Sequence, residues 1–393
     1  MTDSPSTSVS DDNVPIASAP DAAEMTAEQL AEAKEYGRAS LYCDLADKAL
    51  DVGYLAVMAF LLAVPLDAYL SRFVQADTLR LLLIFAITTL GHVVVSFPLS
   101  MFAGHTLEHR YRLSHQTLGR WLARYAKRNL LALGFGLVMT PLLYWVIWLA
   151  GPWWWLAAAA VFFVVTVIMG QLLPDVVLPL FYKIERLENA ELTERMARLA
   201  EGTGLSIQGV YRMGLSEETA KANAMLTGLG RTRRVLMGDT LLDQFSSDEI
   251  EVIFAHEIGH HVFRHIRKMI VAGVLYSLLG FWICDRVLAW WVQMQYGGPV
   301  DAHHMPPSTL PLLMLVLTVF ALVLEPLQNI ISRRYERQCD RYALARTGLR
   351  QAYVSAFRKL ARLNKDDPDP HPLEVFLFHS HPPISERLKM ADE

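Results

Sequence analysis

Two histidines bracket a glutamate at helical spacing in His256-Glu257-Ile258-Gly259-His260. On a helix, residues i and i+4 project from one face about a turn apart, the separation that two ligands of one tetrahedral zinc need. Glu257 beside them has the chemistry of a general base acting on a metal-activated water. The flanking residues supply the helix. Ser246 followed three residues later by Glu249 is a capping-box pattern, and Ile250, Ile253, Phe254, Ile258 and Val262 form an apolar stripe at helical period.

A catalytic zinc site with an open position needs a third protein donor. Glu336 offers one within a helix predicted from Asn329 to Leu344. Asp340, one turn on, is placed to accept the N–H of a ligating imidazole and fix its tautomer. By itself an ExxxD pair is more often a solvated helix face. Near the end of the sequence, His379-Ser380-His381-Pro382-Pro383 closes a helical stretch in a turn stiffened by proline. That would hold the His381 imidazole in one direction, able to donate to a developing oxyanion. His261, His265, His303, His304 and His379 are given no role.

The composition says where such chemistry sits. The chain is 53% hydrophobic and 19% charged, against about 25% charged in a soluble domain, so it reads as a membrane protein. A net charge of −4 offers no footprint for nucleic acid, and three cysteines are too few for a disulfide framework. Hydropathy marks six spans: Val52–Leu70, Leu81–Met101, Leu130–Leu149, Trp154–Leu173, Met269–Trp291 and Met305–Leu324. Gly151-Pro152 breaks the uncharged run between Asn129 and Pro174 into a hairpin flanked by tryptophans. With six spans the segments 102–128, 181–268 and 331–393, carrying six, twelve and twelve Lys+Arg, fall on one face. Both termini and the catalytic region are then expected to be cytoplasmic.

The expected organisation is a disordered acidic tail over 1–45, four spans and a basic loop over 46–180, and a catalytic region over 181–268. Two more spans follow over 269–330, then a second catalytic segment over 331–393. Helix formers dominate from Glu28 to Leu50, leading into the first span. Val235-Leu236-Met237 after Gly228-Leu229-Gly230 reads as a short β-hairpin. The histidines precede Met269 by 9 to 13 residues and Glu336 follows Leu324 by 12. At about 1.5 Å per residue, antiparallel helices bring these ligands to similar depth, within roughly 20 Å of the membrane.

Together these residues resemble the CAAX prenyl protease type 1 family, integral-membrane zinc proteases of the gluzincin kind. The resemblance runs from about Tyr111 onward. It includes Leu178-Pro179-Leu180-Phe181, Asn223-Ala224 with Gly228, and Asp239-Thr240-Leu241-Leu242. It continues through the HExxH residues, Ser332-Arg333-Arg334-Tyr335-Glu336 with Asp340, and Ser380-His381-Pro382-Pro383 with Glu386-Arg387-Leu388. It implies one zinc per chain on His256, His260 and Glu336, with Glu257 as base and Asp340 behind the ligands. It implies His381 as oxyanion donor, Arg387 as its support, and Asn223 and Ala224 as a substrate-binding edge. The fold implied is mainly α, about six membrane helices around a chamber, and the substrates are the C-termini of prenylated proteins. Cys339 departs from the family's usual alanine and is read as a buried inert thiol. The alternatives are a quality-control metalloprotease acting on unprenylated membrane proteins and, from another class, a six-span transporter, whose internal symmetry the spans lack. The oligomeric state is left open.

Overall fold

The computed structural model describes residues 24–205, 209–228, 234–298 and 300–393. The first helix, α1 (Ala27–Val57), begins at a capping box between Thr26 and Gln29. Helix therefore occupies residues 27–45, the last part of the tail expected to reach residue 45, because the stretch rich in Ala, Leu and Glu after residue 27 has helix propensity and a cap to start it. Residues 1–23 lie outside the described residues.

Next come α2 (Asp77–Met101), α3 (Leu118–Ala150) and α4 (Trp154–Leu172). A polar region carries β1 (Ile184–Arg186), α5 (Ala190–Ala200), β2 (Gly209–Met213), β3 (Ala224–Thr227) and β4 (Arg234–Gly238). It ends in α6 (Ser247–Val262), and α7 (His265–Tyr296) returns to the apolar bundle. The long α8 (Leu310–Thr347) leaves it again, followed by α9 (Arg350–Asn364), α10 (Pro372–Phe378) and α11 (Ile384–Met390).

Among the described residues five helical units are long and apolar enough to cross a membrane: Ala27–Leu70, Asp77–Arg110, Leu118–Phe181, His265–Tyr296 and Pro307–Thr347. Six spans were expected. The difference lies in the third unit, a continuous 64 residues in which Gly151, at φ +54°, separates α3 from α4. Tyr144 and Ile147 of α3 share a buried apolar cluster with Trp154 and Ala158 of α4, so the two legs correspond to the expected hairpin. Asp285 is buried in α7, where it accepts a 2.7 Å hydrogen bond from Trp154 Nε1 and pairs with Arg286. Lys48 meets Glu325 at 2.7 Å.

The polar region holds one four-stranded sheet, larger than the hairpin expected, in the order β1-β2-β4-β3. β3 and β4 are the predicted hairpin, paired antiparallel with Leu226 opposite Val235; Leu229 and Gly230 of its turn lie outside the described residues. β2 was not foreseen because it joins β4 in parallel, a pairing that leaves no turn signal between neighbours. The core beneath includes Val235, Met237, Phe254, Ile258, Tyr353 and Phe357, which packs α6 against the sheet and α9.

Candidate metal centre and active site

The capping box predicted for α6 is present: Ser246 accepts from Glu249 N–H, and the Glu249 side chain accepts from Ser246 N–H. The helix is buried along Phe254, Ala255, Ile258 and Gly259 and crosses α8 at the level of Glu336 and Cys339. Gly259 permits that crossing. A Cβ there would stand 3.0 Å from Cys339 Cα and 3.1 Å from its Cβ.

At the crossing the predicted ligands converge. His256 Nε2 lies 3.1 Å from Glu336 Oε2, and His260 Nε2 lies 3.3 Å from Glu336 Oε1. Two donors on one tetrahedral zinc, each at about 2.1 Å, sit roughly 3.4 Å apart, so this spacing fits a shared metal. Glu336 is buried, and its Oε2 accepts no hydrogen bond. A buried carboxylate that turns one oxygen to each imidazole, with one of the two accepting no hydrogen bond, fits a metal ligand. Cys339 Sγ is a second candidate donor, within 4.8 Å of a nitrogen of each histidine. The Glu336 oxygens are closer, so the carboxylate is the better third ligand.

Asp340 stands behind His256, its Oδ1 accepting from Nδ1 at 2.9 Å. Burial works against a charged His256 ring, yet the carboxylates of Asp340 and Glu336 outweigh it and push its pKa up to about 10. The pocket thus favours positive charge between its carboxylates. Burial raises the pKa of Glu257, offset in part by His256 and His260, and the Leu226 N–H donates to its Oε2 at 3.3 Å.

Arg387 is buried and grips Asp340 twice, Nη2 to Oδ1 at 2.6 Å and Nε to Oδ2 at 3.0 Å, while its guanidinium stacks over Phe357 at 3.9 Å. Its direct partner is therefore the carboxylate behind His256. His381 is largely exposed, with Nε2 3.6 Å from Glu336 Oε2 and Nδ1 3.0 Å from Ser380 Oγ. The turn carrying it is fixed from α8: Asn329 Nδ2 donates to Leu377 O at 2.8 Å, and buried Arg333 donates to the carbonyls of Val375 and His379. Pro383 then caps α11.

Asn223 is exposed and immediately precedes β3, its carbonyl accepting from Gly238 N–H at 2.9 Å. Ala224 begins β3, which is the edge of the sheet. The structure thus brings His256, Glu257, His260, Glu336, Asp340, His381 and Arg387 to one place, with the strand that starts at Ala224 beside Glu257. Sequence reasoning missed Leu226, because a backbone N–H carries no signature, and the clamp of Asn329 and Arg333. It also gave no role to His265, which is buried with Nδ1 3.2 Å from His260 Nδ1.

Comparison with known proteins shows the family and the fold. Residues 186–393 match peptidase family M48, and residues 10–183 match the family described as CAAX prenyl protease N-terminal, five membrane helices. The uncharacterized metalloprotease YhfN of Bacillus subtilis is 28% identical over 314 residues, covering 78% of this chain and 71% of that protein. CAAX prenyl protease 1 of Saccharomyces cerevisiae is 27% identical over 358 residues, covering 87% and 77%. The crystal structure of S. mikatae Ste24p shares the fold, with a TM-score of 0.75 at 24% identity, over 94% of this chain and 89% of that one. The chain belongs to peptidase family M48 and is an integral-membrane metalloendopeptidase acting on peptide or protein substrates.

Proposed function

We propose that the metal is a single zinc per chain, held by His256, His260 and Glu336, and that the enzyme cleaves near the C-termini of prenylated proteins. The observation that carries the ligand set is the convergence of both Nε2 atoms on a buried Glu336 whose Oε2 accepts no hydrogen bond. When bound, zinc supplies Lewis acidity that polarises the scissile carbonyl and acidifies a water. Glu257 takes the proton of the attacking water and passes it to the leaving amine, a role suited to a carboxylate whose basicity burial has raised. His381 donates from Nε2 to the oxyanion, with Ser380 O–H donating to Nδ1 so that the ring proton stays on Nε2. Asp340 holds His256, and Arg387 holds Asp340. In the β3–β4 pairing Ala224 and Leu226 fall on alternate positions, and the Leu226 N–H points away from β4 toward Glu257. A substrate strand added to that edge at Asn223 and Ala224 runs past the base.

Prenylated substrates are supported by the relatives named CAAX prenyl protease 1. The basic segments, which six spans would put on one face of the bundle, support a cytoplasmic catalytic region assembled from 181–268 and 331–393, with both termini on that side. The test compares purified wild type with Glu257→Gln in detergent, measuring bound zinc and cleavage of a farnesylated CAAX peptide. Zinc in both with cleavage lost only in the variant is the expected result. Zinc without cleavage of that peptide, but with cleavage of an unprenylated membrane protein, would replace the substrate by the quality-control class. Absence of zinc from both would sink the ligand set.

A further inference from the structure

His265 lies just past the metal-binding helix, where Arg264 takes a left-handed backbone (φ 57°) between α6 and α7. That turn folds the His265 ring back onto the site. It is wholly buried, stacked on Tyr335 with centroids 4.1 Å apart and planes within 12°, and the Phe263 ring lies near-parallel at 5.7 Å. A ring held in this way has one orientation, and each of its nitrogens has a partner: Nε2 is 3.0 Å from Gln338 Oε1, and Nδ1 is 3.2 Å from His260 Nδ1.

With the Gln338 amide oxygen turned to Nε2, those two contacts point to one arrangement of protons. Gln338 Oε1 only accepts, so His265 Nε2 carries a proton and donates it there. In the neutral ring Nδ1 is then a lone pair, and a second nitrogen at 3.2 Å must donate to it. His260 is therefore protonated at Nδ1, which leaves the lone pair on Nε2, the atom 3.3 Å from Glu336 Oε1. We propose that His265 is a positioning residue: through the chain from Gln338 to His265 to His260, it holds His260 in the tautomer and orientation that present Nε2 to the metal. Asp340 does the same for His256. The two ligands are thus backed differently, one by a carboxylate and one by a neutral ring. The neutral backing adds no negative charge to a pocket that already contains Glu257, Glu336 and Asp340. The competing donor to the same lone pair, the Cys339 thiol, is farther away at 3.7 Å and is a weak donor. The proposal rests on the reading of His260 as a ligand.

The experiment is zinc affinity of the full-length protein in detergent, by competition with a chromophoric chelator. His265→Phe keeps the stacking on Tyr335 and removes both nitrogens, whereas His265→Asn keeps an acceptor close to the Nδ1 position. The Phe variant is expected to bind zinc about 10- to 100-fold more weakly, and the Asn variant to recover to within about threefold of wild type. A merely structural histidine would not show that rescue. Wild-type affinity in the Phe variant, or equal losses in both, would overturn the proposal. Should the Phe variant fail to fold, Gln338→Leu frees the His265 tautomer while keeping the ring. It is expected to lower zinc affinity and to shift the visible spectrum of the cobalt-loaded protein, and no change in either would overturn the proposal. His260→Ala is the control. If it binds zinc as wild type does, the ligand assignment itself has failed, an outcome distinct from failure of His265 alone.

Discussion

Gly259 of α6 and Cys339 of α8 stand so close that a methyl group between them would be in tight contact: a Cβ on Gly259 would lie 3.0 Å from the Cys339 Cα and 3.1 Å from its Sγ. The two helices carry different members of the proposed ligand set, His256 and His260 on one and Glu336 on the other, so their separation sets whether three donors reach one metal. Gly259→Ala pushes against backbone, which cannot rotate away as a side-chain tip can. It should lower the unfolding free energy by about 1–3 kcal/mol and weaken zinc binding at the same time. Thermal unfolding in detergent with and without zinc checks this. Unchanged zinc affinity in a folded Gly259→Ala protein would show that the helix spacing does not govern the site.

Cys339 separates two readings of the donor set. If Glu336 is the third ligand, Cys339→Ala binds zinc within about threefold of wild type, while Glu336→Gln loses it by orders of magnitude. The reverse pattern would make the thiolate the ligand.

The pair Arg387 and Asp340 is buried and bidentate, so removing one partner leaves the other charge uncompensated. Arg387→Met should destabilise the protein by about 3–5 kcal/mol. Adding Asp340→Asn should recover most of that stability, yet leave zinc affinity low because His256 Nδ1 has lost its carboxylate. Melting temperature and zinc affinity of the two variants thus move apart. If both recover together in the double variant, Asp340 acts only as the counter-ion of Arg387.

Much of the site was legible because its ligands obey rules local to a helix. His256 and His260 are one turn apart, as are Glu336 and Asp340, and Ser246 with Glu249 marks where the first helix begins. The rest depends on contacts that no spacing announces. His265 reaches His260 only because Arg264 breaks the helix in a left-handed turn, so its offset of five residues matches no helical face. Leu226 contributes a backbone N–H, and Arg387 finds Asp340 across the fold. The span count differs only in grouping: Leu118–Phe181 is one continuous helical unit, yet it turns at Gly151 into the two legs that Gly151-Pro152 predicts.

His381 is a further case in which a neighbour fixes a ring. Its Nδ1 is 3.0 Å from Ser380 Oγ, and in the proposed mechanism the hydroxyl donates there, which puts the ring proton on Nε2. His381→Ala should lower kcat by about 10²- to 10³-fold with zinc still bound, the loss typical of an oxyanion donor. Ser380→Ala should have a smaller effect in the same direction, with KM unchanged. Steady-state kinetics on zinc-loaded protein checks both, and a rise in KM at constant kcat would mean that His381 binds substrate rather than the developing charge.

The helix that carries the histidines also predicts a pH dependence at its far end. Buried Glu249 accepts from Ser246 N–H at 2.7 Å, from Lys359 Nζ at 2.7 Å and from Ser355 Oγ at 2.6 Å. Burial alone would raise its pKa, but the hydrogen bonds from Lys359, Ser355 and Ser246 prevail, and it lies below the usual glutamate value. A carboxyl group more acidic folded than unfolded stabilises the fold fully above the unfolded pKa of about 4.3. That contribution is lost as pH falls through the folded value. Glu249→Gln should therefore unfold more easily than wild type by about 1–3 kcal/mol at neutral pH, and the gap should close as the pH drops below about 4. Zinc-free protein is the sample of choice, since it removes competition between protons and metal at the histidines. A gap that stays constant or widens in acid would mean that Glu249 contributes packing and not charge to the start of α6.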